Sequence, residues 1–223
     1  MNKIDLLSED FDNKNLLDQA LTHRSWVNEH KGQRRSNERM EFLGDAILEF
    51  VVSKEIYEKY PDREEGYLTA LRANLVNTTA LAEIALRLDL GSKLFLSKGE
   101  EDGGGRGNAS LLADTVEAII GALFIDGGIT KAEKFIKENI LIYTEDKAQK
   151  PLKDFKSRLQ EMVQSKGFGA PKYQVVEESG PDHNKKFIIE VLVNGEPWGK
   201  GQGKSKSSAE QEAARQVLTK KVK

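Results

Sequence analysis

The stretch NERMEFLGDAILEF, residues 37–50, combines a helical apolar repeat with unusual acidity. At roughly 100° per residue, one apolar arc contains Met40, Leu43, Ile47, Phe50 and Val51. Four carboxylates share a second arc about 80° wide: Glu38, Glu41, Asp45 and Glu49. An acidic arc on a lone helix is ordinarily a solvated face. The stretch by itself therefore predicts a helix with one buried side and one charged side.

A second acidic helix changes that interpretation. In NASLLADTVEAIIGALFI, residues 108–125, Asp114 and Glu117 are surrounded by apolar residues on nearly every side. A helix that is apolar all round is buried, and buried charges must be paired or must bind a metal. This helix contains no Lys or Arg. We therefore predict that the two acidic faces meet across a helical bundle and that divalent cations neutralise them.

The donor set indicates which metal to expect. Carboxylate oxygens suit Mg²⁺, with Mn²⁺ as a substitute, whereas zinc usually takes His or Cys. The chain has no cysteine, which excludes a disulfide framework and thiolate sites. A di-iron bundle would need Glu-x-x-His pairs, which neither helix has. The histidines are scattered along the chain, and we predict surface or structural roles for His23 and His30.

Charge divides the 223-residue chain into two parts. The net charge is −2, but from Pro151 onward 14 Lys and Arg face 9 Asp and Glu, whereas residues 1–150 carry 20 against 27. An acidic front and a basic back indicate two domains with different tasks. The first residues do not read as a signal peptide, and the longest apolar run, AIIGALFI, is too short for a membrane span. We expect a cytoplasmic protein with no membrane partner.

The pattern of elements predicts the fold class of each domain. Apolar residues recur at three- and four-residue intervals throughout the front, which predicts an all-α domain over residues 1–143. The polar segment TEDKAQK, residues 144–150, is the predicted linker. Residues 151–223 read as an α-β-β-β-α domain whose strands are KYQVVEES, KKFIIEVLV and EPWGKGQG. Adjacent strands in that order imply an antiparallel sheet with both helices on one face.

Several of these segments resemble bacterial ribonuclease III in the order of that family. The stretches NERMEFLGDAIL and LLADTVEAIIGALF resemble its two acidic helices, and ALTHRSW and EEGYLT resemble neighbouring segments. The rear, with GPDHNKKF and GKGQGKSKSSAEQEAA, resembles a double-stranded RNA-binding domain. The resemblance runs from about Leu6 to Lys221.

The resemblance implies a homodimeric endoribonuclease that hydrolyses both strands of double-stranded RNA with Mg²⁺-activated water. In-line attack by metal-activated water predicts 5′-phosphate and 3′-hydroxyl ends. We expect ribosomal RNA precursors and other structured transcripts as substrates, and no nucleotide cofactor. Attack by the RNA's own 2′-hydroxyl is the alternative, and it normally relies on general acid–base catalysis by His. By resemblance Asp45 and Glu117 are catalytic, and the metal ligands are Glu41, Asp45, Asp114 and Glu117.

The resemblance also implies which residues contact RNA and the partner subunit. Phe42 lies outside the apolar arc, and by resemblance it inserts into a pocket of the second subunit. Glu38 and Glu65 assist at the RNA-facing surface, with Glu64 as the alternative to Glu65. In the rear domain the implied RNA contacts are Gln160, Gln164, Pro181, His183, Lys204 and Lys206.

The segment EDGGGRGN is unusually rich in glycine. It lacks the Gly-Lys-Ser/Thr ending of a nucleotide-binding loop, so we predict a flexible loop. Contact between Arg106 and the RNA backbone is a further hypothesis.

Two other functions compete with the ribonuclease interpretation. The first is a non-catalytic RNA-binding protein that uses its helical domain only to dimerise, which leaves Asp114 and Glu117 without a purpose. The second is a hydrolase of small phosphoesters, which leaves the basic rear domain unexplained.

Overall fold

Helices form the front of the chain, as the apolar spacing predicts. The computed structural model describes residues 7–149, 155–181 and 185–221, and the chain divides into two units, Met1–Leu152 and Lys153–Lys223. The helices of the first unit are α1 (Lys14–Ala20), α2 (Arg24–Glu29), α3 (Glu38–Lys59), α4 (Glu65–Val76), α5 (Thr78–Arg87), α6 (Lys98–Asp102), α7 (Ala109–Asn139) and α8 (Thr144–Gln149). Short 3₁₀ turns at Leu90–Lys93, Gly105–Gly107 and Leu141–Tyr143 connect some of them.

The core of the first unit forms where α3 packs against α7. The first half of α7 is buried almost all round, which confirms the prediction from its composition; its buried apolar residues are Leu112, Ala113, Val116, Ala118, Ile119, Ile120, Ala122 and Leu123. On α3, Met40, Ile47 and Val51 are buried as predicted. The prediction was wrong for Phe50, whose ring is 59% exposed.

Helix α7 contains a break that separates its acidic half from its C-terminal half. The backbone leaves helical geometry at Gly127 and Gly128, and Gly128 has a φ of 73°. The buried carboxylate of Asp126 accepts hydrogen bonds from the backbone N–H groups of Asp12 and Asn13, at 2.8 and 2.9 Å. The Asp126 carboxylate therefore connects residues 12–13, just before α1, to the end of the acidic half of α7.

The polar stretch predicted as a linker begins inside the first unit. Its residues Thr144–Gln149 form α8, the side chain of Thr144 is buried, and Lys59 pairs with Glu145 at 3.0 Å. These contacts explain why a segment without apolar periodicity is nonetheless helical at its start.

The glycine-rich segment EDGGGRGN contains the end of α6 and a 3₁₀ turn, and Arg106 within it forms hydrogen bonds; the flexibility predicted for the segment stays a prediction. The guanidinium of Arg106 donates to the carbonyl oxygens of Gly91 and Leu94, at 2.9 and 3.1 Å. It also pairs with Glu101 at 2.7 Å. Asn108 then caps α7, because its side-chain oxygen accepts from the backbone N–H groups of the first turn.

The second unit has the predicted α-β-β-β-α order. Its elements are α9 (Phe155–Ser165), β1 (Lys172–Ser179), β2 (Lys186–Val193), β3 (Glu196–Gly203) and α10 (Lys206–Lys221). The strands form one antiparallel sheet in the order β1-β2-β3. Asn194 and Gly195 connect β2 to β3 with φ values of 51° and 86°, which is typical of the tight turn predicted from the Asn-Gly pair.

Alternate glycines on β3 allow the last helix to approach the sheet closely. A Cβ atom at Gly201 would overlap the backbone of Ala209 and Ala213, and one at Gly203 would overlap Ser208. The repeat GKGQG is therefore explained by packing against α10. In the part of the chain that the structure describes, no helix combines the length and apolarity needed to span a membrane.

Candidate functional site

Two glycines set the distance between the acidic helices. A Cβ atom at Gly44 on α3 would overlap the backbone carbonyl of Glu117, and one at Gly121 on α7 would overlap that of Met40. Glycine in a helix interior costs roughly 0.5–1 kcal/mol relative to alanine, so these positions carry a stability cost that close packing explains. The crossing at Gly44 and Gly121 brings the carboxylates of the two helices together.

Three carboxylates form a cluster at this crossing. Glu41 from α3 and Asp114 and Glu117 from α7 each offer an oxygen, and all three oxygens lie within 4.8 Å of one another. Each of these residues is partly buried. Within the described residues none of the three forms an ion pair with a cationic side chain. Like charges at this separation repel one another, so the cluster favours a bound cation.

The electrostatics of the cluster follow from burial and crowding. Burial raises the pKa of Glu117 to about 7, and the charges of Asp45, Asp114 and Glu41 act in the same direction. Burial also raises the pKa of Glu41, with a further contribution from Asp114. The pKa of Asp114 is raised by burial, and attraction to His23 opposes that shift.

Asp45, the fourth predicted ligand, lies beside the cluster rather than within it. Its side chain is exposed on α3, and its charge raises the pKa values of both Glu41 and Glu117. The structure thus gathers three of the four predicted ligands and places Asp45 at their rim.

A cavity of about 180 Å³ opens beside Glu41 and Asp114. His23 and Arg24 form part of its wall, together with Glu38, which pairs with Arg24 at 3.4 Å. The Nδ1 atom of His23 caps α2 by accepting from the backbone N–H of Ser25. The predicted structural role of His23 is therefore present, but no pattern in the sequence predicts that its ring also lines this cavity.

A larger groove of about 520 Å³ lies between α3 and α4. Phe50 and Tyr57 form its apolar wall, and Glu65 lines it as well. The Glu65 carboxylate accepts a hydrogen bond of 2.7 Å from Thr69, and the neighbouring Glu64 is exposed at the start of α4. Glu65 thus lines the α3–α4 groove, whereas Glu38 lines the cavity beside the cluster.

The second unit presents most of its predicted RNA contacts to solvent. Gln160 and Gln164 are exposed one turn apart on α9, and Pro181 is exposed after β1. Lys204 and Lys206 are exposed beside the N-terminus of α10. His183 lies outside the described residues.

The start of α10 is organised by two serines. Ser205 Oγ accepts from the backbone N–H of Ser208, and Ser208 Oγ accepts from that of Ser205, at 3.1 and 3.0 Å. This reciprocal pair resembles a capping box. It fixes the first turn of the helix, where backbone N–H groups favour an anion such as phosphate.

Gly44 and Gly121 were not among the predicted site residues. Each interrupts an otherwise apolar helical pattern, EFLGDA and AIIGALF, and an isolated glycine within such a pattern often has a packing reason. That signal was available in the sequence. The identity of the partner backbone at each glycine was not.

A helical unit with a gathered carboxylate cluster, followed by an α-β-β-β-α unit, defines the class as a nuclease for double-stranded RNA. Residues 13–144 match the Ribonuclease-III-like family, and residues 155–221 match the Double-stranded RNA binding motif. The chain belongs to the ribonuclease III family, whose members are metal-dependent endoribonucleases that act on double-stranded RNA.

The relatives cover nearly the whole chain. Ribonuclease 3 of Geobacillus sp. (strain WCH70) is 47% identical over 211 residues, which are 94% of this chain and 86% of that protein. Ribonuclease 3 of Bacillus licheniformis is 46% identical over 215 residues, which are 96% of this chain and 86% of that protein.

Solved structures match the first unit. The nuclease domain of ribonuclease III from Campylobacter jejuni aligns with a TM-score of 0.56 at 38% identity, covering 68% of this chain and 99% of that one. A second structure of that domain, described for flexibility in a region involved in its dimer formation, aligns with a TM-score of 0.55 at 40% identity, covering 62% and 96%.

Proposed function

We propose that this protein hydrolyses both strands of double-stranded RNA in an Mg²⁺-dependent reaction that leaves 5′-phosphate and 3′-hydroxyl ends. The observation that carries the proposal is the cluster of Glu41, Asp114 and Glu117, whose oxygens lie within 4.8 Å of one another. Ribosomal RNA precursors and other structured transcripts are the substrates that the family relationship favours.

The cluster fits a hard divalent cation. All of its donors are carboxylate oxygens, the ligand type that Mg²⁺ and Mn²⁺ prefer. When bound, such an ion lowers the pKa of water and acts as a Lewis acid on phosphate. We assign Glu41, Asp114 and Glu117 to holding the ion, and Asp45 at the rim to completing its coordination. Asp45 and Glu117 are the residues whose loss we expect to affect the hydrolytic step most.

We assign RNA binding chiefly to the second unit. Exposed Gln160 and Gln164 lie on one face of α9, in reach of a minor groove, which is the readable groove of duplex RNA. Lys204 and Lys206 flank a helix N-terminus, a site that favours phosphate. By the family resemblance Pro181 and His183 also contact RNA, and Glu38 and Glu65 assist at the RNA-facing surface of the catalytic unit.

We also propose that the active protein is a homodimer. Phe42 is 80% exposed although it adjoins the acidic arc of α3. The rings of Phe50 and Tyr57 on the same helix are also exposed. A two-fold pair of clusters would match the two strands of a duplex. In this arrangement residues 1–143 catalyse and dimerise, residues 144–150 link, and residues 151–223 bind RNA.

Cleavage of a long RNA duplex tests the proposed chemistry. The full-length protein should cut both strands when Mg²⁺ or Mn²⁺ is added and should bind the duplex uncut in the presence of a chelator. Mapping the termini should detect 5′-phosphates and 3′-hydroxyls. Cleavage in chelator, or products ending in 2′,3′-cyclic phosphate, would contradict a metal-dependent hydrolysis. A matched single-stranded RNA is the control and should remain largely intact.

A further inference from the structure

Arg24 lines the cavity beside the carboxylate cluster, on a backbone that is held in place. It is the first residue of α2. The preceding residue, His23, donates its backbone N–H to the carbonyl of Phe95 at 3.1 Å. The following residue, Ser25, accepts at Oγ from the backbone N–H of Ser97 at 3.0 Å. The Arg24 side chain itself is 67% exposed, so a long cationic side chain extends into solvent from a fixed position at this cavity.

The ion pair between Arg24 and Glu38 holds the guanidinium only weakly. Its N–O distance of 3.4 Å is longer than the usual range for an N–H···O hydrogen bond. Both side chains are more than half exposed, and exposed ion pairs contribute little stability. Glu38 has a second donor, because its Oε2 accepts from Ser36 Oγ at 2.9 Å. Arg24 can therefore leave Glu38 at little cost, and Glu38 keeps a hydrogen bond.

Other arginines of the catalytic unit are held more firmly. Arg34 pairs with Asp18 at 3.0 Å, and its guanidinium carbon lies 4.1 Å from the ring centroid of Phe95. Arg106 donates to two backbone carbonyl oxygens and also pairs with a carboxylate at 2.7 Å. In the described part of the chain, no Lys or other Arg lines the cavity beside the cluster. Arg24 is therefore the cation at this cavity that can turn towards a ligand.

The charge around the cavity makes such a cation useful. Glu38, Glu41 and Asp114 all line it, and their carboxylates repel the phosphates of an RNA backbone. A guanidinium binds phosphate with the same fork of N–H donors with which it binds a carboxylate. In the protein without RNA, Glu38 thus occupies the place at the Arg24 guanidinium that a phosphate would take.

We propose that Arg24 is a phosphate-binding residue of the catalytic unit, which exchanges Glu38 for a backbone phosphate of the RNA duplex beside the carboxylate cluster. This inference rests on the proposed function, because it takes double-stranded RNA to reach the cluster. Phosphate contacts fix the register and orientation of a protein on a duplex and carry no sequence information. Arg24 would therefore place the RNA at the cluster without selecting its sequence.

The salt dependence of cleavage measures this contact. The full-length protein cuts a long RNA duplex at a fixed Mg²⁺ concentration under single-turnover conditions, and the protein concentration that gives half of the maximal rate is determined over a KCl series. Each lost phosphate contact lowers the slope of log concentration against log salt by about one. Arg24→Gln should therefore need more protein than the wild type at low salt, and this deficit should shrink about fourfold when the salt is raised about fourfold. Arg24→Lys keeps the charge and should keep the wild-type slope.

Three further variants serve as controls. Arg24→Met preserves the apolar stem without the charge and should lower the slope as Arg24→Gln does. Glu38→Gln removes the ion pair but keeps the cation, so its slope should not fall below that of the wild type. Lys14→Gln removes an exposed charge at the start of α1 and should leave the slope unchanged. The melting temperature of Arg24→Gln should equal that of the wild type, because the side chain is exposed.

The possible failures are distinguishable. If Arg24→Gln and Arg24→Met keep the wild-type slope, the guanidinium does not bind phosphate and the inference is wrong. If Arg24→Gln and Glu38→Gln change cleavage equally at every salt concentration, Arg24 acts only by holding Glu38, which also overturns the inference. The proposed function fails in a different way: the wild type would then leave duplex RNA uncut in Mg²⁺, or Glu117→Gln would cleave it at the wild-type rate.

Discussion

The two units differ in which side chains they bury and which they expose to solvent. The catalytic unit partly buries three carboxylates against one another and leaves the rings of Phe42, Tyr57 and Phe50 in solvent, at 80%, 72% and 59% exposure. The RNA-binding unit leaves Gln160, Gln164, Lys204 and Lys206 in solvent and packs the alternate apolar residues of β2, from Phe187 to Val193, beneath its helices.

This difference indicates what each unit needs in order to be complete. Carboxylates that crowd together without cations destabilise the fold, and exposed rings on one helix lose the free energy that burial would provide. The proposed metal ion and the proposed second subunit would each relieve one of these costs in the catalytic unit. Exposed lysines cost little stability, so the RNA-binding unit needs only its ligand.

The largest effect should come from removing one charge of the cluster. Glu117→Gln keeps the size of the side chain but weakens the proposed metal site, and we expect single-turnover cleavage of duplex RNA to fall by about 10²–10³-fold or more. RNA affinity in a mobility-shift assay should stay unchanged. Glu83→Gln, at an exposed position on α5, is the control. Near wild-type cleavage by Glu117→Gln would show that the carboxylate cluster is not the metal site.

The next effect concerns the exposed rings. Phe42→Ala should loosen the proposed dimer by about 2–4 kcal/mol, the range for an aromatic anchor, which corresponds to roughly 30- to 900-fold in the dissociation constant. Sedimentation over a dilution series measures this change. Leu86→Ala removes another exposed apolar residue, 63% exposed on α5, and should leave association unaltered. A dimer as tight as the wild type would show that Phe42 is not the anchor.

A smaller effect is expected from the exposed lysines. In Lys204→Ala/Lys206→Ala, RNA binding should weaken, and the slope of log affinity against log salt should fall by about one for each lost phosphate contact. The melting temperature should not move, because both side chains are exposed. Lys166→Ala/Lys172→Ala removes the same charge elsewhere on the unit. If both double variants lower the slope equally, the N-terminus of α10 has no special role.

The smallest effect is a gain in stability that depends on pH. The pKa of Glu117 is raised to about 7 in the folded protein from 4.5, so its ionised form opposes folding. This penalty is absent below about pH 4.5, grows as the pH rises and is complete above about 7. Without metal, Glu117→Gln should melt a few degrees above the wild type at pH 8, and the gain should shrink towards pH 5.

Adding Mn²⁺ provides a second test of the charge of Glu117. Binding stabilises the folded state by mass action, so the wild type should gain more than Glu117→Gln, and the difference between their melting temperatures should narrow or reverse. A gain that is independent of pH would attribute the effect to packing at Glu117 rather than to its charge.

The order of elements was predictable because local signals agree with the fold. The stretch KYQVVEES is β1, and the Asn194–Gly195 turn fixes where β2 ends and β3 begins. The exposure of Phe50 was not predictable from a helical projection. Such a projection assumes that neighbouring elements cover the whole apolar side of the helix. The groove between α3 and α4 leaves that part of the arc open.

The membership of the carboxylate cluster was only partly predictable. Spacing placed Glu41 and Asp45 in one arc, but the crossing at Gly44 and Gly121 determines which of them meets α7. The structural role of Arg106 was not predictable for a related reason. Its guanidinium donates to the backbone carbonyl oxygens of Gly91 and Leu94, which any residue would offer. Backbone groups carry no signature in a sequence.

The glycine crossing also has a consequence for protein synthesis. Glu41 and Glu117 lie on opposite sides of residues 42–116, and they meet only when α7 docks on α3. Such long-range contacts form after local structure, because closing the intervening chain costs entropy. A ribosome-bound chain that has released α3 alone therefore holds half of a catalytic centre and cannot cut RNA. The carboxylate cluster is therefore assembled only after residues 42–116 have been synthesised and α7 has docked on α3.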